Sequence, residues 1–260
     1  MRRARVAYSG AVHDAVVEAD GRTLHLADGR TVDESAVVWL PPVQPRTIVA
    51  LGLNYADHAA ELAFKAPDEP LVFLKAPGSL LGHKGVTRRA ADANQMHHEC
   101  ELVAVIGRTA SKVRREDALD YIGGWTVAND YAIREYLENY YRPNLRVKNR
   151  DGCTPIGPWV VDRDDIPNHA DLAVRTRVNG KLVQDGSTKN LVFDVPYLVE
   201  YLTSFMTLSP GDIILTGTPH GMVFVQPGDV VLTEVEGVGV LENRLVGDNE
   251  FYNPGPETAA

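Results

Sequence analysis

The chain has 260 residues, 44% of them hydrophobic, and a formal net charge of −9. That is enough apolar sequence to fill one large domain, or a domain with a small appendage, and an acidic chain without a basic run is a poor partner for nucleic acid. Two cysteines, Cys100 and Cys153, with no Cys-x-x-Cys pair, are too few for a disulfide framework or a zinc ribbon and fit a reducing cytosol.

In chain order, the basic start MRRARVAYSG leads into no apolar region, so no secretory signal is expected. No stretch reaches the run of ~18 apolar residues that a membrane helix needs. The expectation is a cytoplasmic protein with no membrane and no nucleic-acid partner. Residues 1–45 read as a small N-terminal β appendage and linker, with Asp20-Gly21 as a hairpin signal between candidate strands and Pro41, Pro42 and Pro45 ending the pattern. Residues 46–252 read as the main, catalytic domain, and 253–260 as a flexible tail. Within the main domain, strands are expected at 47–52, 71–75, 101–106 and 124–129, with one or two helical turns from 55 to about 62. A short helix is expected at 115–121 and another from 131 to about 141. A hairpin follows around Asn179-Gly180, then an amphipathic helix over 194–206 with a proline in its first turn. Strands at 212–216, 230–235 and 238–246 complete the domain. Many strands and few helices predict a β-rich α+β fold. No Gly-x-Gly-x-x-Gly, Walker A or Gly-x-Ser-x-Gly motif occurs, so nucleotide binding and serine-triad hydrolysis lack support.

The stretch MHHECELVAVIG at 96–107 places Glu99 and Glu101 at the mouth of five consecutive apolar residues. Such a run predicts a strand buried on both faces. Residues i and i+2 of a strand share a face, so the two carboxylates lie about 7 Å apart or less on one side, continued inward by Val103 and Val105, while Cys100 faces away and packs. Buried without a partner they would cost several kcal/mol, and a cation removes that cost. A frayed strand end with both glutamates in water is the competing reading. Asp130, at the expected strand-to-helix junction, reads as an N-cap or as a third ligand. Three carboxylates suit a hard cation such as Mg²⁺, Mn²⁺ or Ca²⁺, and the neighbouring His97 and His98 keep zinc open. His58 and Glu61, three apart on a helical turn, read as a surface pair or as a general-base dyad. Arg142, Arg146 and Lys148 form a cationic segment, read as a solvated loop or as a carboxylate-recognition element.

These pieces occur together and in order: Gly-Leu-Asn-Tyr-x-x-His-x-x-Glu at 52–61, Phe-x-Lys-x-Pro at 73–77, His-x-Glu-x-Glu at 97–101, Asn-Asp-Tyr at 129–131 and Thr-Gly-Thr-Pro-x-Gly at 216–221. The chain thereby resembles the fumarylacetoacetate hydrolase superfamily over about residues 46–247. Residues 129–148 and Thr-Pro-Ile-Gly-Pro-Trp at 154–159 resemble its homoprotocatechuate-pathway branch. That branch decarboxylates 5-oxopent-3-ene-1,2,5-tricarboxylate and isomerises 2-hydroxyhepta-2,4-diene-1,7-dioate in 4-hydroxyphenylacetate degradation. The resemblance implies a mixed β-sandwich roll and Mg²⁺ or Mn²⁺ held by Glu99, Glu101 and Asp130. It implies a lid around 58–68 carrying His58 and Glu61 for proton transfer, Lys148 as the active-site lysine, and a homodimer. Lys75, Arg134, Arg142, Arg146, Gln184 and Thr218 are the expected contacts to a 2-oxo di- or tricarboxylate. An acylpyruvate hydrolase or oxaloacetate decarboxylase of the same superfamily is the alternative within the fold. A non-catalytic ligand-binding module is the alternative of another class.

Overall fold

The strand Cys100–Ile106 is buried at every position, as a strand covered on both faces must be. In the computed structural model, which describes residues 1–57, 67–137 and 144–252, it lies near the middle of a 12-stranded sheet. Ile122–Asn129 and Ile213–Leu215 flank it, both antiparallel. Ile48–Gly52 then pairs in parallel with Ile213–Leu215, and Leu71–Lys75 closes that side. On the other side Ile122–Asn129 pairs with Thr154–Asp162. The chain leaving Leu71–Lys75 then sends Leu80–Leu81 back to pair in parallel with Thr154 and Pro155. This half of the sheet therefore curls into a roll. Its lining is one apolar cluster that includes Ile48, Ala50, Phe73, Val103, Val105, Ala128, Ile156 and Leu215.

The outer face of the central strands carries the larger core. Cys100, Leu102, Ala104 and Ile106 meet Val174, Val235 and Leu241 of a second, five-stranded sheet, together with one helix. That helix, Val195–Phe205, starts where expected: the Asp194 carboxylate accepts from the Tyr197 N–H at 2.9 Å, and Pro196 occupies the first turn. It buries Val195, Leu198, Val199 and Leu202, the single stripe a 3.6-residue period produces. The strands of residues 2–40 continue the large sheet through Arg2–Tyr8, which pairs with Thr154–Asp162. The Asp20-Gly21 hairpin forms, joining Ala11–Val17 to Thr23–Leu26. Among the described residues no helix is long and apolar enough to cross a membrane.

Two helix expectations need correction. Arg115–Tyr121 is a 3₁₀ helix. Over 131–137, the described part of the helix expected from 131 to about 141, no α-helix forms: Ala132–Ile133 pairs with Met96–His97, and a 3₁₀ turn follows at Arg134–Tyr136. Tyr131, Ala132 and Ile133 are all buried in a third cluster with Met96, Val147 and Leu245. Three consecutive buried side chains need cover on every side, which an extended segment wedged between layers receives and a surface helix does not.

Candidate metal centre and active site

Register brings the carboxylates together. Cys100 lies opposite Asn129 and Glu101 opposite Ala128. One step outward the Asp130 N–H donates to the Glu99 carbonyl at 2.9 Å, and the Glu99 N–H donates to the Asn129 side-chain oxygen at 2.9 Å. Directly opposed residues share a face. Glu99, Glu101 and Asp130 therefore point to the same side, at the mouth of the roll. One oxygen from each lies within 4.8 Å of the others, and all three residues are buried.

Three buried carboxylates need cations. Lys148 donates to Glu99 Oε2 at 2.5 Å and to Asp130 Oδ2 at 2.9 Å. Lys75, whose side chain is 0% exposed, donates to Asp130 Oδ1 at 2.5 Å and to the Lys148 carbonyl. Burial opposes the Lys148 ammonium, but Asp130 and Glu99 outweigh it and hold its pKa above the ordinary lysine value. Glu101 is less well served. One of its oxygens accepts from the Gly217 N–H at 2.6 Å; the other is buried without a hydrogen-bond partner. Burial first, then the Asp130 and Glu99 carboxylates, push its carboxyl well above the usual range. An orphaned carboxylate oxygen within an all-oxygen donor set fits a hard divalent cation, which would satisfy the lone pairs and relieve the repulsion.

Each of the two histidines that keep zinc open has its Nε2 engaged, while His98 Nδ1 is buried without a hydrogen-bond partner. His97 and His98 are fully buried. Burial pushes His97 down to about 3, against the pull of Glu99, and His98 down to about 4. His97 Nε2 accepts from Arg134 Nε at 2.6 Å, and His98 Nε2 accepts from the Val223 N–H at 3.4 Å.

The Thr-Gly-Thr segment is stitched to the same strand end. The Thr216 hydroxyl donates to the Leu102 carbonyl at 2.9 Å. Gly217 has φ +93°, and a Cβ there would stand 3.0 Å from Asn54 Cβ, so glycine is what lets its N–H reach Glu101. Thr218 Oγ1 accepts from Gln184 Nε2 at 2.9 Å, which leaves the Thr218 O–H to donate. Arg146 lies over the Tyr136 ring at 3.9 Å. His58, Glu61 and Arg142 lie outside the described residues.

Four contributors escaped the sequence reading. Asn129 holds the Glu99 backbone, and Gly217 binds Glu101. Asn54 donates to the Thr216 and Phe193 carbonyls, at 2.8 and 3.1 Å, and ties the start of the 52–61 motif to the site. Arg150, which donates to the Tyr136 hydroxyl at 2.9 Å and lies 4.7 Å from its ring, joins Arg146 there. Asn54, Asn129 and Gly217 lie inside the quoted motifs, which are the available signal; Arg150 lies outside them.

Among known proteins, a bifunctional isomerase/decarboxylase of 4-hydroxyphenylacetate degradation from Escherichia coli is 58% identical over 202 residues, 78% of this chain and 47% of that protein. The chain thus spans about half the length of the curated relatives it matches first. A 5-carboxymethyl-2-hydroxymuconate delta-isomerase structure from Mycobacterium smegmatis aligns with a TM-score of 0.85 and 36% identity, covering 95% of this chain and 99% of that one. A maleylpyruvate hydrolase from Sphingobium sp. SYK-6, in complex with manganese(II) and pyruvate, aligns with a TM-score of 0.81 and 26% identity over 95% of this chain and 99% of that one. The expected β-rich roll is the fold of these neighbours. The family model for the fumarylacetoacetate (FAA) hydrolase C-terminal region matches residues 47–246, and the chain belongs to that family.

Proposed function

We propose that this chain is a divalent-metal-dependent decarboxylase and isomerase of 2-oxo acids. Its proposed substrates are 5-oxopent-3-ene-1,2,5-tricarboxylate and 2-hydroxyhepta-2,4-diene-1,7-dioate. The observation that carries the reading is the buried Glu99, Glu101, Asp130 cluster with its orphaned Glu101 oxygen. The isomerase/decarboxylase named at 58% identity supports the substrate choice. Residues 46–252 would form the catalytic unit, acting as a homodimer in the cytoplasm.

Mg²⁺ or Mn²⁺ at the three carboxylates would supply Lewis-acid polarisation of the 2-oxo oxygen. The chain's own groups do the rest. In decarboxylation the bonding pair released with CO₂ moves through the alkene to the ketone oxygen, and Lys148, the buried ammonium of the cluster, stabilises the charge that develops there. Isomerisation removes the enol proton and delivers a proton to carbon, roles assigned to His58 with Glu61. Thr218 donates its O–H to a substrate carboxylate, with Gln184 fixing that hydroxyl. Arg134, Arg142 and Arg146 serve the carboxylates, and Lys75 holds Asp130 in place.

The test is turnover of the tricarboxylate with Mg²⁺, after chelation, and in Glu101→Ala. Activity that survives chelation refutes the metal-dependent reading. A second reading, hydrolysis of an acylpyruvate, is favoured by the maleylpyruvate hydrolase neighbour; parallel assays of both substrates and of oxaloacetate separate the two.

A further inference from the structure

Arg134 is held by one edge. Its Nε donates to His97 Nε2 at 2.6 Å, and its Nη2 donates to Glu99 Oε1 at 3.4 Å. Nε and Nη2 form the side-on fork of a guanidinium; the end-on fork, Nη1 with the second proton of Nη2, is then left over. No described residue bonds Nη1, which is not a buried orphan, and the side chain is 21% exposed. A guanidinium so fixed presents an open two-donor face beside the carboxylate cluster.

The clamp depends on His97. Arginine only donates, so Nε2 must be the unprotonated nitrogen, and the remaining ring proton sits on Nδ1, 3.2 Å from the His98 carbonyl. The ring is fully buried and rides on the two-stranded pairing of Met96–His97 with Ala132–Ile133, directly before Arg134. Histidine and arginine are thus set by one register.

We propose that His97 is a positioning residue: it clamps the inner edge of Arg134 so that the outer edge receives, bidentately, the substrate carboxylate next to the 2-oxo group. This rests on the metal-site reading above. It adds a residue that touches neither metal nor substrate and acts through the arginine.

Pyruvate, the smallest 2-oxo acid with a ketone, is the probe, with affinity measured by calorimetry on the Mn²⁺-loaded chain. Losing a hydrogen bond to a charged group weakens binding about ten- to a hundredfold. His97→Leu is expected to weaken pyruvate by that factor with Mn²⁺ affinity unchanged. His97→Gln, which keeps an acceptor near the Nε2 position, is expected to restore most of the loss, and it carries the test if the leucine variant fails to fold. In an Arg134→Ala background, His97→Leu should cost nothing further. Unchanged pyruvate affinity in His97→Leu, joint loss of Mn²⁺ and pyruvate, a glutamine variant no better than leucine, or an additive double variant each overturns the inference while the metal-site reading stands. A wild-type chain that takes up neither Mn²⁺ nor pyruvate overturns both.

Discussion

The N-terminal strands and the mouth of the roll are both crowded with charge, and they settle it in opposite ways. Asp20 is fully solvent-exposed, and its partners are two and three residues away: the Arg22 N–H at 2.8 Å, the Thr23 N–H at 3.0 Å and the Thr23 hydroxyl at 2.8 Å. Glu99, Glu101 and Asp130 are buried, and their cations arrive from Lys75 and Lys148, 55 residues before Asp130 and 49 after Glu99. Water screens the first kind of charge, and a local turn is sufficient for it. The second kind is held in low dielectric, where every missing partner is costly. A single substitution should therefore do little in one region and a great deal in the other.

The largest effect is expected at Glu101. Glu101→Gln should reduce divalent-metal affinity by at least about a hundredfold, more than loss of a supporting contact does, and turnover with it; calorimetry with Mn²⁺ checks it. Wild-type affinity in this variant would break the contrast. Next is Lys75→Met. Removing one partner of a buried ion pair costs about 3–5 kcal/mol, so the metal-free variant should unfold at markedly lower urea, and saturating Mg²⁺ should return part of the loss. A third test sits where the N-terminal strands meet the five-stranded sheet. His83 packs edge-on against Trp39 at 5.3 Å and accepts from the Glu242 N–H at 3.0 Å. Burial, helped by Lys84, lowers it from 6.5 to about 3. Its folded pKa lies below its unfolded one, so its contribution is present above pH 6.5 and is lost as pH falls toward 3. His83→Gln should flatten the stability curve in that window. The smallest effect belongs to Asp20, lowered from 3.8 to about 2 chiefly by the Thr23 and Arg22 N–H groups. Asp20→Ala should change the melting temperature little at neutral pH. The stability Asp20 adds is present above pH 3.8 and fades as pH falls toward 2.

The same contrast explains what was legible in the sequence. Leu71–Lys75 and Val230–Val235 have the bounds their apolar patterns give, and the Asp194-capped helix begins at its signal. Those are local properties. The shared face of Glu99 and Glu101 was legible too, because strand period is local. The opposition of Glu99 and Asp130 was not, since it depends on which strands pair and in what register. The segment after Asp130 misled because a run of buried residues has no period to distinguish wedge from helix. His97 and His98 read as possible zinc ligands, whereas the structure engages them with Arg134 and the Val223 backbone. Only tertiary partners could have told the two apart.

The hydrogen bond from Gly217 to Glu101 spans 116 residues of chain, and this sets when the site comes into being. Contacts so distant in sequence close large loops and form late in folding. The carboxylates meet through one flank, Ile122–Asn129, whereas the anchoring of Glu101 by Gly217 is expected to wait until the other flank has docked. Metal uptake followed in time should lag behind secondary structure during refolding, making the bound ion a reporter of the last step rather than a template for the first.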